Sequence, residues 1–443
     1  MIIVDNALKA REAEGRPIRV ALIGAGFMSH GLANHIVNTT LGMRLVGVYS
    51  RRPQSAFDLC RYAGVSDVAS PGRQTEIDLA IREGKVVVTD DAFLLARSTE
   101  VDILVDVTGS VEFGAQVALV AFGHHKDIVL LNAEIDATIG PILQVYAERH
   151  GVILSACDGD EPGVQMNLFR WVKGLGLIPR VIGNIKGLQD PYRNPTTQKD
   201  FAEKWGQNPA MVTSFADGSK ISFEQAIVAN ATGFGVRSRG MSRGVEYKDD
   251  VMKIEKLYDI EEVRKLGGIV DYVVGTPLTK VYVLAEHPDP RQQHYLNLYK
   301  MGGGPLYSFF TPYHLVHFEV PAGIARVALF RDSVAKPQGG PVVEVCAVAK
   351  RDLKAGETLD DYGMYMTYGE AVNADEMCRN RYLPEGLVEG CVLTRDIARD
   401  SVIAYADVTL PPNRLADQLR AEQYRHFRGE TWLDQVVAVH AQG

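Results

Sequence analysis

The chain has 443 residues, of which 46% are hydrophobic and 23% charged, and its formal net charge is -8. This length is too great for one hydrophobic core, and we expect about three domains. The negative charge argues against nucleic acid as a partner, because a protein that binds a duplex needs a basic face. No uninterrupted apolar run approaches the ~20 residues of a membrane span, so we expect no membrane partner.

The cysteines and the N-terminal residues indicate the cellular compartment of the protein. The five cysteines are scattered and form no CxxC pair, which is typical of reduced thiols and argues against a zinc site. Residues 1–17 lack the apolar core and cleavage site of a signal peptide and carry charges typical of a short polar helix. We therefore expect a cytoplasmic protein.

The clearest motif is a strand, a glycine turn and a helix. An apolar run from Ile18 leads into Gly24 and Gly26, and the pattern predicts a helix over residues 28–38 and a second strand over residues 43–49. Gly24 permits the tight turn, and Gly26 lets the backbone approach a pyrophosphate. Ser29 stands where the third glycine of GxGxxG is usual.

This pattern predicts a Rossmann dinucleotide-binding domain over residues 1–155, in which Gly24, Gly26, Phe27 and Met28 lie at the phosphates. The first N–H groups of the helix offer unpaired donors to that anion. An ordinary strand–helix turn of an α/β protein is the alternative interpretation.

The residues after the second strand indicate which dinucleotide binds. Folds that prefer NAD place a carboxylate there, whereas this chain has Ser50, Arg51 and Arg52. A guanidinium presents planar donors suited to a phosphate, so NADP(H) is the predicted cofactor. The alternative is that both arginines are solvated surface charges.

Further short apolar runs follow, at residues 86–88, 103–107, 128–131 and 152–154. Strands of this kind are buried on both faces of a parallel sheet, whose ligands lie at the carboxyl ends of the strands. Four small or polar residues end two of these strands and are predicted to surround the nicotinamide: Thr108, Gly109, Asn132 and Ala133. Simple strand termination is the alternative.

The remaining chain predicts two more domains. Residues 156–335 form an α+β catalytic and oligomerisation domain, with a helix from Val164, a strand that ends near Lys186, and two long strands, Thr279–Ala285 and His294–Met301. The segment 306–330 can return to the cofactor domain. A linker at residues 336–341 precedes a compact β-rich tail that extends to residue 443.

The first two domains resemble homoserine-dehydrogenase-like oxidoreductases, and the tail resembles the SAF domain, a small β-clip. The SAF likeness lies in the LKAGE turn at residues 353–357 and in Arg395-Asp-Ile397. The GxDxxxK signature of the homoserine site is absent, which favours a substrate without an amino acid head group.

With the segments ACDGDEPG at residues 156–163 and FADGSK at 215–220, nearly the full chain resembles the 1-deoxy-D-xylulose 5-phosphate reductoisomerase-like family. The resemblance implies an NADPH-dependent enzyme that forms 2-C-methyl-D-erythritol 4-phosphate in non-mevalonate isoprenoid biosynthesis. The fold class is therefore α/β, with a Rossmann domain, an α+β domain and a SAF-like tail.

That reaction requires a ketone to be polarised, a task that a divalent metal performs. Mg²⁺ and Mn²⁺ prefer oxygen ligands, and Asp158, Asp160 and Glu161 form the densest carboxylate group near the predicted nicotinamide. Alternate residues of an extended segment share a face, so Asp158 and Asp160 are the predicted ligands. The alternatives are an acidic loop in solvent or a helix N-cap.

A phosphorylated sugar substrate also needs fixed cations. Two basic groups are candidates for holding the phosphate, Lys186, Arg193, Lys199 and Lys204 in one and Arg237, Arg239 and Arg243 in the other. The alternative for each is a solvated surface charge.

The predicted catalytic residues are Lys186, Arg193, Asp217 and Lys220. An ammonium stabilises a developing alkoxide and relays a proton, and Asp217 is expected to orient Lys220. His314 and His317 lie in a predicted aromatic strand and are interpreted as core or interface histidines, ranked behind the lysines.

The first functional hypothesis is thus an NADPH-dependent reductoisomerase with a metal, acting as a homodimer or homotetramer. The second is an NADP-dependent dehydrogenase of a sugar acid or polyol derivative. The third, of another class, is a non-catalytic NADP(H)-binding sensor whose tail is its interaction surface.

Overall fold

The computed structural model describes residues 2–242, 245–247, 251–275 and 280–440. Two compact units make up the chain. Unit 1 contains the chain up to Asp160 together with Leu315–Lys336, and unit 2 contains Glu161–His314 and the chain from Pro337 onward. This division differs from the three predicted domains, because residues 315–335 join the N-terminal unit and the C-terminal tail belongs to unit 2.

Unit 1 is built on a seven-stranded parallel sheet in the order β3-β4-β2-β1-β5-β6-β7. Its strands are mostly short apolar runs buried by helices on both faces, as the sequence predicts. They are β1 (Ile18–Ile23), β2 (Met43–Tyr49), β3 (Val68–Ala69), β4 (Val86–Thr89), β5 (Ile103–Asp106), β6 (Asp127–Leu130) and β7 (Leu154–Ala156).

Eight α-helices accompany this sheet in the described part of unit 1, with one short 3-10 helix at Val316–Phe318. They are α1 (Ile2–Ala13), α2 (Phe27–Thr39), α3 (Pro53–Tyr62), α4 (Gln74–Arg82), α5 (Ala92–Arg97), α6 (Val111–Gly123), α7 (Ala133–Arg149) and α14 (Val320–Phe330). Helix α14 joins unit 1 because Val320, Ile324 and Val327 fall on one helical face and pack into the core of the sheet.

The order of the strands reverses between β1 and β5, which is where open α/β sheets bind ligands. Gly24, directly after β1, has φ +123°. A Cβ there would lie 3.0 Å from the carbonyl oxygen of Val107, which follows β5. Only glycine fits this turn without strain.

Unit 2 contains a four-stranded mixed sheet in the order β11-β10-β8-β9, in which only β8 and β9 are parallel. The strands are β8 (Ile178–Lys186), β9 (Ile269–Val274), β10 (Lys280–Glu286) and β11 (Tyr307–Thr311). Thr279, the first residue of the predicted strand 279–285, lies outside the described residues.

The helices of unit 2 pack on this sheet and on the C-terminal strands. They are α8 (Glu161–Gly174), α9 (Lys199–Trp205), α10 (Pro209–Asp217), α11 (Ser219–Thr232), α12 (Ile260–Lys265), α13 (Pro290–Leu298), α15 (Ala374–Asn380), α16 (Leu415–Arg428) and α17 (Trp432–His440), with 3-10 turns at Val251–Leu257, Glu385–Leu387 and Tyr405–Asp407. Nearly every residue of α11 is buried, on all sides of the helix.

Two of the predicted strands were wrong. Residues 294–301, predicted as a strand, belong mainly to helix α13, because Asp289 caps the helix by accepting a hydrogen bond from the Arg291 N–H (2.9 Å) and Pro290 takes its first position. Residues 313–317, predicted as an aromatic strand, form coil and part of a 3-10 turn.

The tail is built from short antiparallel pairs, β12 (Val343–Ala349) with β13 (Thr367–Asn373) and β14 (Val392–Leu393) with β15 (Val408–Thr409). The two segments that carry the SAF likeness meet there. Leu353 and Ile397 exchange backbone hydrogen bonds of 2.8 and 3.0 Å, and the Ala355 N–H donates to Asp396 (2.9 Å). The SAF assignment itself stays a prediction.

No helix among the described residues has the length and apolar character that crossing a membrane requires.

Gly183, in the middle of β8, gives a test of this packing. A Cβ at Gly183 would contact the Tyr282 ring and lie 2.8 Å from the Asp271 carbonyl oxygen. We expect Gly183→Ala to lower the free energy of unfolding by about 1–3 kcal/mol through overpacking. Gly187→Ala, one residue beyond the strand and with nothing within 4 Å of the new Cβ, is the control and should change it by less than about 0.5 kcal/mol. Equal effects in urea unfolding would contradict this packing.

Candidate functional site

The glycine turn of unit 1 has the geometry of an anion site. Gly26 precedes α2 with no side-chain cap, and the first turn of the helix has no acidic residue. A Cβ at Gly26 would meet no atom within 4 Å, so the space beside the turn is open. Phe27 is exposed and Met28 half-buried beside the turn, while Ser29 is fully buried. These residues fit a dinucleotide pyrophosphate.

The predicted selectivity residues directly follow β2. Arg51 and Arg52 are exposed, and within the described part of the chain neither guanidinium forms an ion pair. The Arg52 N–H donates to Ser50 Oγ at 3.2 Å, which shapes the turn before α3. Two uncompensated guanidinium groups at this place fit a ribose phosphate.

The structure brings together the four predicted nicotinamide residues at the ends of β5 and β6. Asp106 accepts hydrogen bonds from Thr108 Oγ1 (2.7 Å) and Asn132 Nδ2 (2.9 Å), and Asn132 Oδ1 caps α7 by accepting from the Ile135 N–H (3.2 Å). Both ends of the Asn132 amide are therefore used within the protein. Thr108 and Gly109 remain partly exposed, whereas Asn132 and Ala133 are buried.

The sequence did not single out Asp136, which is buried in α7 just beyond these residues. Burial raises its pKa from 3.8 to about 7. A Cβ at Gly140, one helical turn later, would contact the Asp136 carboxyl group, so the glycine makes room for it. An aspartate four residues before a glycine in an apolar helix is the signal that could have found it.

The predicted metal site is not supported. Asp158 is buried and accepts a hydrogen bond from Arg326 at 2.9 Å. Asp160 is a residue of unit 1, whereas Glu161, the first residue of α8, belongs to unit 2. The described residues contain no group of three or more His, Cys, Asp or Glu side chains able to hold a metal ion. A carboxylate neutralised by a guanidinium is a poor cation ligand, so these residues do not fit the predicted Mg²⁺ or Mn²⁺.

Unit 2 contains a buried charged group, which we call the Lys186 cluster: Glu161, Lys186, Glu224 and His314. Lys186 Nζ lies 2.5 Å from Glu161 Oε2 and 3.4 Å from Glu224 Oε2, and His314 Nε2 lies 3.4 Å from Glu161 Oε1. The side chains of both glutamates are at most 4% exposed and that of Lys186 is 11% exposed.

Burial and charge act in opposite directions in this cluster. Burial by itself would raise the pKa of Glu161, but Lys186 and His314 hold that pKa well below its ordinary range. Burial would likewise lower the pKa of Lys186, which Glu161 and Glu224 keep raised. The cluster therefore holds an ammonium beside a carboxylate at neutral pH. The sequence predicted Lys186 but ranked His314 second and gave Glu224 no role.

Three buried amide side chains, which we call the amide layer, lie on the three elements that carry Lys186, Glu161 and Glu224. Asn184 precedes Lys186 by two residues on β8 and so shares its face, Gln165 lies one helical turn after Glu161 in α8, and Gln225 directly follows Glu224 in α11. Gln225 Nε2 donates to Gln165 Oε1 at 3.0 Å. Four polar atoms of these amides have no hydrogen-bond partner in the described part of the chain: Asn184 Nδ2, Asn184 Oδ1, Gln165 Nε2 and Gln225 Oε1.

The other predicted catalytic residues lie in different surroundings. Asp217 is fully buried and pairs with Lys350, whose Nζ donates to it at 2.7 Å and also to the carbonyl oxygens of Arg193 (2.9 Å) and Met364 (2.8 Å). The Asp217 carboxylate also accepts from the Ser219 N–H (2.9 Å), and the expectation that Asp217 orients Lys220 stays a prediction. Lys220 is buried in the first turn of α11, four residues before Glu224.

The basic groups predicted to hold phosphate are largely paired. Arg193 binds Asp190 (3.0 Å), Arg237 binds Glu262 (3.1 Å) and Arg239 binds Glu370 (2.8 Å). Lys199 lies 3.7 Å from Glu203 on the exposed α9, and Lys204 lies over the Trp205 ring. Arg243 lies outside the described residues.

Two adjoining cavities of about 430 and 520 Å³ lie in the C-terminal part of unit 2. Their walls share Asp375, Arg379 and Arg428 and contain none of the predicted site residues.

Comparison with known families gives one match. Residues 159–320 match the family model described as oxidoreductase DRL, catalytic domain. The matched range contains all four members of the Lys186 cluster. A comparison with curated proteins finds no match.

Several solved structures are distantly similar. The scyllo-inositol dehydrogenase of Lactobacillus casei has 10% identity and a TM-score of 0.43, over 72% of this chain and 90% of that one. A homoserine dehydrogenase from Thiobacillus denitrificans has 14% identity and a TM-score of 0.42, over 71% and 74%. The 1-deoxy-D-xylulose 5-phosphate reductoisomerase of Zymomonas mobilis, in complex with NADPH, has 14% and 0.37, over 70% of each. Similarities this distant carry no information about substrate.

The raised pKa of Asp136 predicts a pH-dependent stability. A folded-state pKa above the unfolded value means that the contribution to stability is greatest below pH 3.8 and is lost as the pH rises through 7. We therefore expect Asp136→Asn, which does not titrate, to gain stability relative to the wild type between about pH 4 and pH 7 and to keep a constant advantage above that.

Urea unfolding over this pH range measures the effect, and Asp67→Asn, which removes an exposed carboxylate of unit 1, serves as the control. A difference between wild type and Asp136→Asn that is the same at every pH would show that Asp136 ionises normally in the folded protein.

Proposed function

We propose that the protein is an NADP(H)-dependent oxidoreductase whose acid–base centre is the Lys186 cluster, and that it reductively isomerises 1-deoxy-D-xylulose 5-phosphate. The observation that carries the proposal is a buried lysine between two glutamates, inside the range that matches an oxidoreductase catalytic domain. Groups with perturbed pKa values concentrate at sites of chemistry.

Lys186 is suited to donate a proton to a carbonyl oxygen. An ammonium group has three donors, of which Glu161 and Glu224 take two, and no described residue takes the third. When bound, the dinucleotide supplies the hydride. As the carbonyl carbon is reduced, its oxygen gains negative charge, which the third N–H of Lys186 stabilises before transferring its proton.

The two glutamates have different parts in this proposal. Glu161 is held ionised by Lys186 and His314 and fixes the ammonium in place. Glu224 lies farther from Lys186, at 3.4 Å, and we assign it to accept the proton of the substrate hydroxyl beside the ketone. Release of that proton lets the carbon–carbon bond migrate and leaves an aldehyde for reduction.

Arg51 and Arg52 support NADP(H) over NAD(H), because both are exposed and lack a carboxylate partner among the described residues. The 2′-phosphate of the cofactor would supply the missing anion.

A dehydrogenase of a sugar acid or polyol derivative is the second candidate. The Lys186 cluster favours it in one respect, since oxidation of an alcohol needs only one base to remove the hydroxyl proton, which this cluster provides without further groups.

The first test is oxidation of NADPH with 1-deoxy-D-xylulose 5-phosphate and with its unphosphorylated form, beside reduction of NADP⁺ with polyols and sugar acids. We expect turnover of the phosphorylated ketose, with 2-C-methyl-D-erythritol 4-phosphate as product. Turnover of polyols alone would establish the dehydrogenase instead, and tight NADPH binding without any turnover would favour a sensor.

Lys186→Met tests the assigned centre. We expect it to lower kcat/KM by about 100-fold to 10,000-fold, because the proton donor is lost. Glu224→Gln should lower kcat more than it changes KM. Lys265→Met removes an exposed lysine of the same unit, at the end of α12, and should leave kcat/KM unchanged. Retained activity in Lys186→Met would place the chemistry elsewhere.

The double variant Arg51→Gln/Arg52→Gln tests cofactor choice. We expect KM for NADPH to rise about ten-fold or more, since charge-assisted bonds to the 2′-phosphate are lost, while KM for NADH stays the same. Arg61→Gln, which removes an exposed arginine paired with Asp58 on α3, is the control. A parallel loss for NADPH and NADH would show that the arginines do not recognise the phosphate.

A further inference from the structure

The amide layer beside the Lys186 cluster has more hydrogen-bonding capacity than the protein uses. Asn184 is 1% exposed, and Gln165 and Gln225 are fully buried. Apart from the single bond between the two glutamines, the layer leaves two amide nitrogens and two carbonyl oxygens without a described partner. Buried polar groups in folded proteins are nearly always hydrogen-bonded to protein or to ordered water.

The placement of these amides follows from three elements. Residues 184 and 186 of β8 lie on one face of the strand, and Lys186 on that face contacts Glu161 of α8 and Glu224 of α11. Gln165 and Gln225, on the same two helices, contact each other. The opposite face of β8 carries Val181 and Ile185, which belong to an apolar cluster.

We propose that Asn184, Gln165 and Gln225 bind ordered water beside the Lys186 cluster, and that Asn184 is, through this water, a positioning residue for the Lys186 ammonium. The layer offers donors and acceptors together, which suits a water molecule because water needs two to four polar partners. A purely anionic ligand would leave the two carbonyl oxygens unsatisfied, and an apolar ligand would leave all four groups unsatisfied.

The role of the water follows from the charges. Lys186 contacts Glu161 at 2.5 Å and Glu224 at 3.4 Å, and the longer distance leaves the contact with Glu224 loose. A water molecule between Asn184 and the cluster would limit the movement of the ammonium and set how readily it gives up its proton. This positioning role rests on the proposed function, whereas the water site itself does not.

Asn184→Leu tests both parts, because leucine has nearly the same volume and no polar atoms. In the full-length protein we expect a kcat about ten-fold lower with KM nearly unchanged, and a shifted pH profile of kcat. A high-resolution crystal structure of the wild type should show water within hydrogen-bond distance of the Asn184 amide, and the variant should lack it.

Asn230→Leu is the matched control. Asn230 is a buried asparagine of α11 whose Oδ1 accepts the Val342 and Val343 N–H groups at 2.8 and 3.1 Å. Its loss should lower stability and leave the pH profile of kcat in place. Asn230→Leu therefore shows the effect of losing an asparagine with a purely structural role, against which Asn184→Leu is compared.

The outcomes separate the two parts. If Asn184→Leu raises the unfolding temperature and no water is seen, the amides are dry and the proposal is overturned. If water is present but kcat and its pH profile are unchanged, the positioning role is wrong. If the wild type turns over no substrate, the proposed function fails, while the crystal structure still decides whether the water site exists.

Discussion

The charge balance around Lys186 is the constraint on which unit 2 depends. A lysine with a side chain only 11% exposed is stable there because both Glu161 and Glu224 contact its ammonium group. Removing one partner of a buried ion pair typically costs about 3–5 kcal/mol, so the three elements that carry these residues are tied to one arrangement. Three elements meet where the charge of Lys186 is neutralised: the end of β8, the start of α8 and the buried helix α11. The same arrangement holds the Lys186 ammonium in a fixed place, which is how packing and the proposed chemistry become linked.

A second buried pair has a structural role. Lys350, from the turn after β12, uses all three of its donors on Asp217 and on two carbonyl oxygens, so nothing of this ammonium remains for a ligand. Lys186 uses two donors within the described structure. Lys350, with all its donors used, joins the C-terminal strands to α10. Lys186, with one donor left over among the described residues, is suited to act on a substrate.

Unit 1 depends on a different constraint, the close approach of β1 and β5 where the strand order reverses. Gly24 is required there because a side chain would meet the Val107 carbonyl group. The adjacent network of Asp106, Thr108 and Asn132 fixes the ends of β5 and β6. This edge has an uncapped helix start and two arginines without an ion-pair partner among the described residues, and it therefore fits a dinucleotide. The fit follows from backbone geometry more than from any single side chain.

The sequence by itself determined the parallel sheet and the glycine turn of unit 1, because buried strands are short apolar runs and a turn with positive φ requires glycine. It also determined that two arginines follow β2 and that Lys186 ends a strand. Only the tertiary structure decided that Glu224 and His314 join Lys186, that Asp217 serves Lys350, and that Asp158 pairs with Arg326 rather than with a metal. These partners are distant in the chain, for instance 168 residues apart for Asp158 and Arg326, and no local pattern reports which charges will neutralise one another once they are buried. Charge pairing is a property of the folded interior, whereas strand and turn propensity are properties of neighbouring residues.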